Sequence, residues 1–194
     1  MRLNERFLVR CLERYAPKLT VRHRAAKSLR SGEPELKLLP ILCEQDKTSF
    51  DIGSSIGIYT YFLRWYSHNV VAFEPNPSLA ALLRRSFRDR VIVEECALSD
   101  HHGHTDLMIP IYTGIEYPGL ASIESNVDRH YPEMRVIQVA LRMIDDFQDR
   151  RVGFIKIDVE GHELHVLHGG KNLIQRDRPS FLIEAEERHR FGAM

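Results

Sequence analysis

The chain has 194 residues, 43% hydrophobic and 28% charged, with 27 basic side chains against 27 acidic ones. That length allows one domain with a real core and a small appendage. No apolar run approaches the roughly 18 residues of a membrane-spanning helix. The opening "MRLNERFLVRCLERY" is charged every few residues. It has no apolar stretch of signal-peptide length, so export by that route is not expected. Cys11, Cys43 and Cys96 are odd in number and far apart, which argues against both a disulfide framework and a zinc site. A reducing, cytoplasmic setting follows.

The neutral total hides an asymmetry. Residues 1–30 hold Arg2, Arg6, Arg10, Arg14, Lys18, Arg22, Arg24, Lys27 and Arg30 against Glu5 and Glu13. Nine minus two gives +7, leaving −7 for the remainder. Such a segment is either a solvated helix face or a peripheral contact for an anionic partner such as a membrane surface or an acidic subunit face.

Leu3, Phe7, Leu8, Cys11, Leu12 and Tyr15 recur at helical spacing up to Pro17. A second helix is predicted from Pro34 to about Glu44, interrupted by Pro40. Residues 1–45 thus read as a helical extension and 46–194 as the main domain. From there strands and helices alternate. "TSFDIG" reads as a buried strand and "IGIYTYFLRWYS" as a helix. "NVVAFEP" is a strand, followed by a helix over "PSLAALLRRSFR" that starts at Asn76-Pro77 or Ser78. "RVIVEECALS" reads as a third strand, and "HTDLMIPI" and "RVIQVALRM" as less regular ones. "VGFIKIDVEG" is a strong strand, "HELHVLHGGKNLIQR" a helix loosened at Gly169-Gly170, and "PSFLIEAEE" the last strand. This order predicts an α/β fold: a mostly parallel sheet covered by helices on both faces. Ligands of such sheets sit over the carboxyl ends of the strands.

Those ends carry Asp51, Glu74, Glu94–Glu95, Asp158–Glu160 and Glu184, every one acidic. Together they predict a pocket for a cation or for many hydrogen-bond donors, and one that repels a pyrophosphate. The loop after the first strand fails the dinucleotide pattern G-x-G-x-x-G. Starting at Gly53 the three positions are Gly53, Ser55 and Ile58; starting at Ser55 they are Ser55, Gly57 and Thr60. What remains is D-x-G-x-x-x-G, with Asp51 able to accept from an ammonium group. Glu74 follows 23 residues later, where a carboxylate grips a ribose diol. A nucleoside with a diol, a cationic centre, an ammonium group and no phosphate is S-adenosylmethionine.

"FDIGSSIGIYTYFLR", "VVAFEPNP", "CALSD" and "FIKIDVEGHELHVLHGG" followed by "RPSFLIEAEE" resemble, in order and over roughly residues 33–187, the FkbM-type methyltransferases. The resemblance implies a Rossmann-like class I methyltransferase fold. It also implies S-adenosylmethionine-dependent methylation of a hydroxyl on a sugar, glycan or natural product. By the family pattern Asp51, Gly53, Ser54 and Gly57 form the cofactor loop. Glu74, Pro75 and Asn76 lie along the ribose, and Cys96, Ala97 and Leu98 near the adenine. Asp158, Glu160, Gly161 and His162 match the family block beside the reacting centre. The chain departs from the pattern with Ser54-Ser55 where the family usually has Ala-Asn. It also stops before the antiparallel C-terminal hairpin usual in class I methyltransferases. A missing hairpin implies a truncated product, a fragment or a partner-completed domain.

An alcohol acceptor gains from a positioned base. His162 and Asp158 stand level for that role, with Glu160 behind them; Asp158 is also placed to touch the cofactor. Lys156 shares a strand face with Asp158 and reads as its buried ion-pair partner. His101, His102 and His104 surround Gly103 and read as an exposed turn, so no metal is expected. Residues 112–125 read as a substrate lid or as an ordinary surface loop. The competing readings are an NAD-type oxidoreductase, a non-catalytic or partner-dependent binding module, and a nucleic-acid methyltransferase. The last is disfavoured because the Asn/Asp-Pro-Pro-aromatic motif of base methylators is missing.

Overall fold

The structure is a computed structural model that describes residues 12, 15–87, 90–124 and 132–184. The expected first helix over Leu3, Phe7, Leu8 and Cys11 therefore lies outside the described residues, as does the end of the predicted last strand beyond Glu184. Helix α1, which the sequence reading did not anticipate, spans Pro17–Ser31. Pro17 begins this helix instead of merely closing the one before it. Proline costs nothing in the first turn, where its missing N–H would have no partner. Val21 and Ala25, one turn apart, are buried, while Lys18, Arg22, Lys27 and Arg30 point outward. That narrow stripe hides the helix from a hydrophobicity reading. Next comes a 3₁₀ turn (Pro34–Leu38), then the short α2 (Leu39–Leu42) with Pro40 in its first turn.

The alternation that follows builds the predicted sheet. In order come β1 (Thr48–Ile52), α3 (Ile58–Tyr66), β2 (Asn69–Phe73), α4 (Pro77–Ser86) and β3 (Val91–Glu94). After a second sheet the chain returns with β8 (Val152–Ile157), α5 (Glu163–His168), α6 (Lys171–Asp177) and β9 (Ser180–Ile183). The five strands order as β3-β2-β1-β8-β9, all parallel. β1 thus has β2 on one side and β8 on the other, and its carboxyl end is the switch point.

Strand periodicity divides the core. Phe50, Ile52, Val71, Phe73, Ile155 and Ile157 face Ile144, Phe147, Val166 and Leu173. Val70 and Phe154 turn the other way, against Leu36, Leu39 and Leu63, and Ala72 packs with Val21, Leu83 and Phe87. Phe73 meets Phe50 and Phe147 edge-on at 5.3 and 4.9 Å. The register jumps from Thr48↔Val152 to Ser49↔Phe154, so Gly153 is the extra residue of a bulge. The bulge is what puts Val152 in the same cluster as Ile155.

The middle of the chain corrects two expectations. "RVIVEECALS" is not one strand: β3 ends at Glu94, and β4 (Ala97–Leu98) belongs to a second sheet. The segments expected to be irregular are ten-residue strands, β5 (Gly103–Tyr112) and β7 (Glu133–Arg142), paired antiparallel along almost their whole length. With β6 (Ile115–Glu116) the second sheet orders as β4-β7-β5-β6.

Gly169-Gly170 does more than loosen a helix; it separates α5 from α6. A Cβ on Gly169 would lie 2.0 Å from the Ser99 carbonyl oxygen, and one on Gly170 would lie 2.9 Å from Ile144. This break lets the sheet-edge loop lie against the helices. Gly169→Ala should therefore lower the melting temperature by roughly 5 °C or more through overpacking, measured by calorimetry. Ala at exposed Gly119, where a Cβ meets nothing, serves as the control.

Candidate active site

The loop after β1 is built by close contacts. Gly53 has φ +75°, and a Cβ there would sit 1.8 Å from the Asp158 carbonyl oxygen. Only glycine lets the two strand-end loops touch. Ser54 Oγ donates to the Asp51 carbonyl at 2.7 Å, closing the turn with its side chain. Ser55 takes φ +49°, a left-handed conformation that Asn tolerates and Ser enters at a cost of about 1 kcal/mol. Its N–H donates to Glu74 Oε2 at 2.8 Å. Gly57 (φ +83°) has a different reason: a Cβ would meet Leu83 at 2.7 Å and Phe87 at 2.8 Å. It seats α4 on the loop.

Three carboxylates and one ammonium meet here. Asp51 is fully buried; its Oδ2 accepts from Thr60 Oγ1 at 2.5 Å, while its Oδ1 accepts no hydrogen bond. Burial raises its pKa, against the pull of Lys156. Lys156 Nζ lies 2.9 Å from Asp158 Oδ2, 3.1 Å from the Gly53 carbonyl and 3.9 Å from Asp51 Oδ1. The expected Lys156–Asp158 pair is thus present. Glu74 follows β2, with Oε2 bonded to Ser55 N–H and Oε1 to Asn76 N–H at 2.9 Å. Each oxygen keeps a second lone pair. Burial pushes Glu74 up to about 7, against the backbone N–H groups of Asn76 and Ser55. Asn76 also caps α4, accepting from Ser78 N–H at 3.0 Å.

A cleft open to solvent lies over these strand ends. Its floor is Gly53, Ser55, Glu74 and Pro75; Cys96, Ala97 and Leu98 form one wall, and Asp158, Glu160 and His162 the other. Cys96 is buried and its thiol is pushed up to about 12 by burial, so that wall is neutral. Glu160 carries a left-handed backbone, φ +54°, and strain of this kind gathers at functional sites. Asp51, Ser54, Gly57 and Asn76 stand behind the cleft as its support and do not line it.

The acidic rim is narrower than expected. Glu94 pairs with Arg142 at 3.4 Å and Glu95 with Arg84 at 2.6 Å, which takes both out of the cleft. Residues 112–125 divide likewise. Pro118, Gly119, Ala121, Ser122 and Ile123 roof the cleft together with Leu107 of β5. Leu107 was not singled out from the sequence, and Ser55 was named there only as a departure from the family pattern. Leu107 carries only the signal of strand alternation, and Ser55 that of a small residue between two glycines. His101 and His102 face Asp100 and Asp146 at 2.7 and 2.9 Å, and His104 is exposed. Another group does come together: Glu124, His162 and His165 each offer one ligand-type atom within 4.8 Å of the others, a set that could hold a metal ion. Glu124 and Ser99 already satisfy both nitrogens of His162, at 2.5 and 2.9 Å.

This fold and cleft define a class I methyltransferase architecture. The chain belongs to the methyltransferase FkbM domain family, which matches residues 51–194. Among curated proteins it is 26% identical over 149 residues to Methyltransferase 1 of Beauveria bassiana, covering 64% of this chain and 58% of that protein. It is 28% identical over 154 residues to the hexuronic acid methyltransferase AglP of Haloferax volcanii, covering 77% and 60%. The chain thus spans under two thirds of either relative. The crystal structure of the methyltransferase FkbM from Methylobacillus flagellatus shares the fold, with TM-score 0.51 and 16% identity, over 93% of this chain and 48% of that one. Among the described residues no helix is long and apolar enough to cross a membrane.

The raised Glu74 has a consequence for stability. Its folded pKa of about 7 exceeds the ordinary 4.5, so the folded state holds its proton longer than the unfolded chain. The stability it contributes is present below about pH 4.5 and is lost as pH rises through about 7. Glu74→Gln should flatten the fall in melting temperature between pH 5 and 8, measured by differential scanning calorimetry.

Proposed function

We propose that this chain binds S-adenosylmethionine and transfers its methyl group to a hydroxyl of a sugar, glycan or natural-product acceptor. The observation that carries this reading is the convergence of Gly53, Glu74, Asp158 and Glu160 in one cleft over the carboxyl ends of β1, β2 and β8. The residues fit the cofactor. Glu74 keeps lone pairs for a ribose diol, and the carboxylates of Glu74, Asp158 and Glu160 on the lining favour a cation, with buried Asp51 behind them. Gly53 and Ser55 would lie along the methionyl part, and Cys96, Ala97 and Leu98 would form the base-binding wall. The name of the Haloferax volcanii relative, a hexuronic acid methyltransferase, supports a sugar acceptor.

When bound, the cofactor supplies an electrophilic methyl on a sulfonium. The protein's work is then to align the acceptor oxygen and exclude water. A base of this chain would take the hydroxyl proton that methyl transfer to the acceptor oxygen releases. Asp158 is held by Lys156 and orients; Glu160, at the strained turn, is the base in this reading. The roof over residues 118–123 keeps water out.

Titrating S-adenosylhomocysteine into the protein by calorimetry should show micromolar binding that is lost in Asp51→Ala and Glu74→Ala. Binding should also weaken as pH falls below about 7, because protonated Glu74 has one less acceptor oxygen for the diol. Glu160→Gln should keep affinity within threefold while methyl transfer to a panel of sugars falls by about 10²–10⁴. Binding without turnover on any acceptor would favour a non-catalytic domain, and no binding by folded protein would defeat the proposal.

A further inference from the structure

We propose that His162 is a positioning residue, a clasp that fastens the roof of the cleft to the edge of the sheet, and is not the base. The ring spans three segments. Nδ1 meets Glu124 Oε1 at 2.5 Å, and Nε2 meets Ser99 Oγ at 2.9 Å. Ser99 follows β4 and is fully buried, Glu124 follows the roof residue Ile123, and His162 itself precedes α5. A base needs a lone pair aimed at the acceptor, and imidazole has only two nitrogens to offer. Both are spent on protein partners here.

Neighbouring contacts act in the same direction. Ser122 Oγ donates to the Glu160 carbonyl at 2.8 Å, and Glu124 N–H donates to Ser122 Oγ at 3.1 Å. Ser122 is also bridged to Met108 of β5 by two backbone hydrogen bonds, of 2.9 and 3.1 Å. The roof therefore has one anchor on the second sheet and two on the loop after β8. His165 stacks on His162 at 4.5 Å with 14° between planes, and its Nδ1 is 2.9 Å from Asp100 Oδ2. The titratable groups around the clasp are thus Glu124, His165, Asp100 through His165, and Glu160 two residues away on the same wall. Since the roof covers the cleft that holds Glu74 and Asp158, the clasp sets how long a ligand stays. That consequence rests on the cofactor reading above; the fastening itself does not.

The test has two independent readouts. Hydrogen–deuterium exchange of residues 118–124 should rise in Glu124→Ala and His162→Ala, whatever the ligand. Stopped-flow release of S-adenosylhomocysteine should quicken about tenfold or more in both, with KM raised more than kcat is lowered. His162→Asn, whose amide nitrogen takes the place of Nδ1, should recover most of the protection and retain the acid limb of the rate–pH profile. Unchanged exchange in both alanine variants overturns the clasp. So does a His162→Asn enzyme that binds normally but loses kcat a hundredfold together with the acid limb, since that is the behaviour of a base. If the wild type binds no S-adenosylhomocysteine, the cofactor reading fails while the exchange data still decide the clasp.

Discussion

A single buried ammonium organises the cleft. Lys156 Nζ reaches Asp158, the Gly53 carbonyl and the side of Asp51, and lies 5.0 Å from the Tyr59 ring centroid. Burial alone would pull its pKa down, but Asp51 and Asp158 outweigh that and raise it. The charge therefore persists in a site from which water is nearly excluded. A buried ion pair of this kind adds little net stability, because desolvation offsets the attraction. Its return is geometry: it draws the end of β8 onto the loop after β1, the two elements that meet at the switch point.

The parallel sheet was legible because each half of it is local. "TSFDI" and "VGFIKI" are runs of buried residues, and "NVVAF" is followed by an Asn-Pro helix start. Strand ends then place Asp51, Glu74 and Asp158 by position alone. Helix α1 escaped notice because its buried face is only Val21 and Ala25 at one turn's spacing, amid basic residues. The division of "RVIVEECALS" was hidden for another reason. Glu94 and Glu95 satisfy themselves with Arg142 and Arg84, partners 48 and 11 residues away in sequence, and no local pattern announces such pairs.

The glycines teach a related lesson. A spacing such as Gly53 to Gly57 invites one explanation for both. In the fold, Gly53 exists for the Asp158 carbonyl and Gly57 for Leu83 and Phe87. One brings two loops together over the cleft, and the other seats a helix behind it. The Ser54-Ser55 departure resolves in the same way. Ser54 adds a hydroxyl bond that closes the turn. Ser55 carries the left-handed backbone and gives its N–H to Glu74. The loop is held without the amide side chain that the family pattern supplies.

The arrangement of charge also bears on what the cleft is for. Asp51, Glu74 and Asp158 share one ammonium, so full ionisation would leave two negative charges largely unopposed in a poorly solvated place. The protein responds by raising Asp51 and Glu74, mainly through burial. Of these two carboxylates, Asp51 has an oxygen that accepts no hydrogen bond, and Glu74 has both oxygens already oriented by backbone N–H groups. On the proposed reading, a ligand entering the cleft offsets the cost of this buried charge. A ligand that is cationic and carries hydroxyl donors would lower the pKa of Glu74, which lines the cleft, converting an unfavourable buried charge into binding energy. The roof matters for the same reason, because attraction between ligand and carboxylates strengthens as water leaves. On the proposed reading, Glu74 on the floor, Asp158 and Glu160 on the wall and the clasp beside them act together on the ligand's charge.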